Sequence, residues 1–182
     1  MKKRLLHLLA VLLLVGVATS LWRPRLKEKR TDPRGRISVE NIHWKATVQE
    51  EADRFAALDI VREEDSDGEQ VWKNSEGVRV RASADGQIKR VFGWSLYLDG
   101  KPVLERGMGV DEVPDELNRA FKKLVRMPDG RLYGMAENAK GEQYVVLAWV
   151  PKGEKEFWSF QFGAAPTRET GIELGHPPSL YD

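Results

Sequence analysis

A chain of 182 residues, 41% hydrophobic and 31% charged, is long enough for a core and too apolar to be disordered. The formal charge of +1 is uneven: residues 1–36 hold ten of the 29 Lys+Arg and two of the 28 Asp+Glu, which leaves 19 against 26 beyond them, a net −7. An acidic folded part argues against nucleic acid as a partner, and the absence of cysteine excludes disulfides, thiolate metal sites, thiol catalysis and an acylated lipoprotein cysteine.

The chain opens on Lys2, Lys3 and Arg4, then runs apolar over 5–22 with only His7, Thr19 and Ser20 as polar members. Residues 1–22 therefore read as a signal peptide or a membrane anchor. Ala18, Thr19 and Ser20 offer small residues for cleavage. Trp22 and the cluster Arg23, Arg25, Lys27, Lys29 and Arg30 fit a retained interfacial end, and the anchor is the preferred reading. Residues 23–36 form a basic linker. The expected localisation is the cell envelope, with membrane contact through the N-terminal segment and the bulk outside the cytoplasm.

Residues 37–93 read as a first helix-plus-sheet module. Ile37, Val39 and Ile42 predict a short strand. Thr47 and Glu50 have capping-box spacing, so a helix is expected to start there, with Val48, Ala52, Phe55 and Ala56 as its apolar stripe. The acidic run 63–69 lacks EF-hand spacing, because Gly68 falls three residues after Asp65, and it reads as a polar turn. Strands are predicted over 70–73, 78–82 and 87–92, with Asp85-Gly86 as a two-residue hairpin. Val78, Val80 and Ala82 would face one way and Arg79 and Arg81 the other, giving an antiparallel sheet with one covered face.

Residues 94–163 read as a hairpin and a second module. Strands over 94–98 and 102–105 flank Asp99-Gly100, and Asp111 is the expected cap of a second helix with Pro114 in its first turn. Val113, Leu117, Ala120 and Phe121 repeat the first stripe at an offset of 65 residues. Ile60-Val61-Arg62 is answered by Leu124-Val125-Arg126, and Phe92-Gly93 by Phe162-Gly163, which points to internal duplication. Strands over 143–150 and 155–162 follow, the first apolar on both faces and hence central. Residues 164–182 read as an irregular surface tail. The fold class is α+β, two tandem helix-plus-antiparallel-sheet modules behind an N-terminal hydrophobic segment.

The spacing G-x-x-x-x-E-V over Gly107 to Val113 and G-V-R-V-x-x-x-x-D-G-Q-I over Gly77 to Ile88 resembles the SmpA/OmlA outer-membrane assembly lipoprotein modules, in a duplicated form similar to β-lactamase inhibitor protein. A second similarity is to the PepSY type of module. The first resemblance covers residues 37–163 and implies an envelope domain that binds proteins through a sheet face and loops. The chain departs from it in lacking the lipoprotein cysteine and the inhibitor's disulfides.

No catalytic, cofactor-binding or metal-ligating residue emerges. His7, His43 and His176 are far apart in the sequence with no H-E-x-x-H spacing, and the glycines fall singly at hairpin tips rather than in a phosphate-cradling loop. The chain is read as non-enzymatic and free of cofactors. Trp44, Trp72, Trp94, Trp149 and Trp158, with Tyr97, Tyr133 and Tyr144, fall mostly on predicted strands. Among them Trp72, Trp94 and Tyr97 are the candidate partner-binding residues, since charged neighbours or short strands surround them. The expected function is protein binding, assisting envelope assembly or inhibiting a partner. The alternative is a structural or small-ligand- or polysaccharide-sensing ectodomain.

Overall fold

Alternation along the strands decides this molecule, because successive side chains point to opposite faces of a sheet. The computed structural model describes residues 35–63 and 68–182. The N-terminal hydrophobic segment and the centre of the acidic run lie outside the described residues. Among those described, no helix is long and apolar enough to cross a membrane.

The first half contains β1 (Ile37–Val39), α1 (Ala52–Ala57), β2 (Val61–Arg62), β3 (Glu69–Lys73), β4 (Arg79–Ser83) and β5 (Ile88–Gly93). A hairpin of β6 (Ser95–Leu98) and β7 (Lys101–Glu105) follows. The second half contains α2 (Asp115–Ala120), β8 (Lys123–Arg126), β9 (Leu132–Glu137), β10 (Gln143–Trp149) and β11 (Ser159–Ala164), then α3 (Arg168–Glu173) and a 3₁₀ turn, Pro178–Leu180. The fold is α+β, with two antiparallel sheets. One has the order β1-β6-β7, and the other runs β2-β3-β4-β5-β11-β10-β9-β8. Two four-stranded meanders thus enter the large sheet in mirror order and join through their last strands, where Val91 opposes Phe162 and Gly93 opposes Phe160.

Register carries one apolar face across the join. Trp72 opposes Val80, Val80 opposes Val91, Phe162 opposes Val146, and Val146 opposes Gly134. This inner face is closed by the small sheet and the first two helices: Leu96, Leu104, Leu117 and Phe121 surround a void of only about 10 Å³ with Val146 and Ala148. Tyr144 is buried there, stacked on Trp44 at 5.0 Å, and donates its hydroxyl to the Ile37 carbonyl at 2.8 Å. Burial pushes its phenol well above the ordinary value.

Two glycines make room for this packing. A Cβ on Gly134 would collide with the Phe121 ring, and one on Gly93 would collide with the Glu40 side chain. Glu40, buried at positive φ, accepts the N–H groups of Trp94 at 2.6 Å and Ser95 at 3.0 Å, which fixes the passage from β5 into β6. Its backbone carbonyl takes the Arg54 Nε–H at 2.6 Å.

Several local expectations are corrected. The reciprocal Thr47–Glu50 bonds form, at 2.7 and 3.2 Å, yet the helix begins only at Ala52. The intervening residues serve other partners: Val48 N–H bonds the Gly86 carbonyl at 2.9 Å, and Glu51 turns inward to accept from the His43 backbone N–H. Ala52 and Ala56 are exposed, so the first stripe reduces to Phe55 with half-buried Val48. Asp111 does not cap α2, which begins after Pro114; Glu112 instead accepts the Gly109 N–H at 2.6 Å.

The two Asp-Gly turns also differ. Asp99 and Gly100 have φ of 51° and 77°, a two-residue turn between Leu98 and Lys101. At the other only Gly86 is positive, and Ser83 bonds both Gln87 and Gly86, so the connection has three residues. The repeated Phe-Gly dipeptides are not equivalent either, since Phe162 is in the core while Phe92 lies on the opposite face.

The tail is corrected most. Residues 164–182 contain α3 and the 3₁₀ turn. Thr167 caps α3 by accepting the Thr170 N–H, and Leu180 is buried against Tyr133, Met135 and Val145 on the outer face of β9 and β10.

Candidate functional site

The inner face is filled, so the surface open to any other molecule is the outer face and its margins. The predicted residues are dispersed by the register. Trp72 is on the inner face, half-buried, with its ring edge-on to Phe55 at 5.4 Å. Tyr97 is on the small sheet opposite Ser38, its ring 5.7 Å from the Arg54 guanidinium. Only Trp94, just after β5, borders the outer face of the large sheet. The structure therefore does not bring Trp72, Trp94 and Tyr97 together.

It gathers a different set. Arg79 and Arg81 alternate with buried Val80 on β4, and Arg90 and Phe92 flank Val91 on β5, so all four point outward. With Gly77 and Trp94 they line a groove of about 550 Å³. Trp94 is held by its indole N–H donating to the Glu76 carbonyl at 2.9 Å and by lying over Gly77, where any side chain would press against the ring. Phe92 packs edge-on to Trp94 at 5.2 Å.

A second groove, of about 780 Å³, is lined by Arg106, Trp149, Pro151, Glu154, Glu156 and Trp158. The two adjoin through one cluster. The Arg106 guanidinium lies 3.7 Å from the Trp158 ring centre and 4.9 Å from that of Trp94, and the two indoles stand edge-on at 6.4 Å. A guanidinium on an aromatic face keeps its N–H donors in its own plane, free for a partner. Trp149 and Trp158 are 39% and 43% exposed.

The electrostatics of the first groove are one-sided. Arg81 and Arg90 are direct cross-strand partners, and Arg79 stands opposite Phe92. Glu69 reaches Arg81 at 3.5 Å. Among the described residues no carboxylate pairs with Arg79 or Arg90.

The histidines stand elsewhere. His43 Nδ1 is 2.9 Å from Glu51, both buried, and His176 Nδ1 is 2.7 Å from the Tyr181 hydroxyl. Among the described residues no three His, Asp or Glu side chains are placed to hold a metal ion. Sequence reading missed Arg90, Arg106, Phe92 and the exposure of Trp149 and Trp158. The one available signal was the alternation Arg79-Val80-Arg81, which marks a face without a cover.

No protein-family model matches the chain, and comparison with curated proteins and with solved structures gives no match.

Proposed function

We propose that this chain is a non-enzymatic protein-binding module of the cell envelope, carried there by its N-terminal segment, which holds a partner on the open outer face of β4 and β5 and the adjoining Trp94–Arg106–Trp158 cluster. The observation that carries this reading is Arg106 lying over the Trp158 ring and against the edge-on Trp94 ring at the junction of two uncovered grooves. Tryptophan and arginine are the residue types that dominate binding energy in protein interfaces, and stacking orders the arginine before a partner arrives. The role is to assist envelope assembly or to inhibit the partner.

The mirror order of the two meanders supports a tandem-module origin, as does the placing of Val61-Arg62 and Val125-Arg126 on the two outermost strands. A ligand-sensing role for the second groove rests on Trp149 and Trp158, whose exposed rings suit stacking on a sugar.

The test is affinity capture from native envelope extract with the full chain in neutral detergent, beside an Arg106→Ala/Trp158→Ala variant and a Tyr97→Phe variant. A protein retained by the wild type and by Tyr97→Phe, and lost by the double variant with its melting temperature intact, is the expected result. Retention of no protein, with binding of envelope glycans instead, overturns the reading in favour of ligand sensing.

A further inference from the structure

We infer that the groove over β4 and β5 takes an extended acidic segment of the partner, with carboxylates on Arg79, Arg81 and Arg90 and an apolar side chain on Phe92 and Trp94. This rests on the protein-binding reading and names the chemistry of the partner.

The charge pattern is the starting point. Like charges directly opposite on one face of a sheet are unfavourable, and an exposed face is ordinarily relieved by interleaving both signs. Here Arg81 faces Arg90 across the strands, Arg79 precedes Arg81 by two residues on β4, and Glu69 is the sole carboxylate within ion-pair distance of any of the three among the described residues. Composition does not account for this, because the chain beyond residue 36 is net acidic. An anionic partner would turn the repulsion into attraction, and the planar guanidinium fork matches a carboxylate through two parallel hydrogen bonds.

The spacing selects among anions. Residues two apart on a strand are separated by about 6.7 Å, the repeat of Arg79 and Arg81 along β4. An extended polypeptide with acidic side chains at alternate positions has the same repeat. Phe92, level with Arg79, and the braced Trp94 ring one step beyond it offer an apolar stop for the next side chain of such a segment. An anionic bilayer fits less well: it is flat, whereas the arginines lie in a groove, and it would repel the acidic remainder of the domain.

The test titrates the full chain, in neutral detergent diluted below its critical micelle concentration for the vesicle arm, with a labelled peptide of alternating glutamate ending in phenylalanine, its glutamine counterpart, phosphatidylglycerol vesicles and an oligogalacturonate. The acidic peptide alone should bind saturably in a way that depends on Arg79 and Arg90, with a Kd below roughly 1 mM that rises with salt. Arg79→Gln/Arg90→Gln should weaken it about tenfold, Arg→Lys at both positions should restore only part, and melting should be unchanged. Equal binding of the glutamine peptide, no saturable binding of the acidic one, or an arginine-dependent response to vesicles or oligogalacturonate alone each overturns the inference. If the captured envelope partner survives Arg79→Gln/Arg90→Gln but not Arg106→Ala/Trp158→Ala, this inference falls and the protein-binding reading stands. If no partner is captured by any form, that reading falls first.

Discussion

The two halves of the large sheet share an inner core and treat their outer faces in opposite ways. On β9 and β10 the outward residues include Tyr133, Met135 and Val145, and the C-terminal segment returns over them with Leu180 buried in the contact. On β4 and β5 the outward residues are Arg79, Arg81, Arg90 and Phe92, and no described segment crosses them. An apolar face stays unfavourable until covered, while a charged one is stable in water. The same meander thus yields a covered apolar face in one half and an open charged face in the other, by a change at a few alternate positions.

The comparison breaks first if the cover is removed. Leu180→Ala should cost about 3 kcal/mol, as for truncation of a fully buried leucine, read from urea unfolding. Hydrogen exchange should accelerate in β8 and β9 before β3 and β4. A cost near zero would show that the tail rests on the sheet without stabilising it.

The join between the halves comes next. Gly93 closes β5 opposite Phe160 of β11 and leaves the space that Glu40 occupies. Gly93→Ala should therefore displace a carboxylate that holds two backbone N–H groups, at about 2 kcal/mol, within the range for overpacked interiors. The measurable sign is a lowered melting temperature that is not additive with Glu40→Ala, because both changes act on one network. Additive losses would mean that Glu40 and Gly93 act separately.

How much of this was legible differs between the halves for a physical reason. The Arg79-Val80-Arg81 alternation and the Asp99-Gly100 turn are local, and both strands and hairpin follow from them. β9 escaped notice because Leu132, Tyr133, Gly134, Met135 and Ala136 are all buried, so no alternation survives. The capping box formed while its helix started late, since Glu51 and the Val48 N–H had tertiary partners that spacing does not reveal. The site was least legible. Trp72 faces inward because it shares the face of Val80 that the helices cover, and Arg106 meets Trp158 across 52 positions of sequence; both facts depend on tertiary packing that local spacing does not reveal.

The open face can be sharpened by a substitution that stabilises it. Arg90→Thr removes one member of the Arg81–Arg90 pair and adds a β-branched residue on a central strand. Stability should rise by about 0.5 kcal/mol at low salt and by less at high salt, where the repulsion is screened. Binding of the acidic peptide should fall in the same variant. Such an opposition separates a face kept for recognition from one kept for folding; a loss of stability would show that the Arg90 stem packs usefully beside Gly163.

The smallest expected effect returns to the covered half and concerns pH. His176 joins the cover between Tyr133, at 5.2 Å, and Tyr181, whose hydroxyl is 2.7 Å from its Nδ1. Burial holds its imidazole below the ordinary value of 6.5. Above 6.5 the ring is neutral in both the folded and the unfolded chain and contributes no pH dependence. As pH falls below 6.5 the unfolded chain takes up a proton that the folded chain resists, so unfolding binds protons and stability declines until the folded ring also titrates. The loss should be modest, because the ring is only partly enclosed, and it should be local. Protection factors over α3 and the 3₁₀ turn, corrected for the roughly tenfold fall in intrinsic exchange per pH unit, should decline between pH 7.5 and 5.5 while those of β4 and β5 do not change. His176→Gln should flatten that response; if the C-terminal segment loosens equally in both proteins, the carboxylates rather than His176 govern the cover.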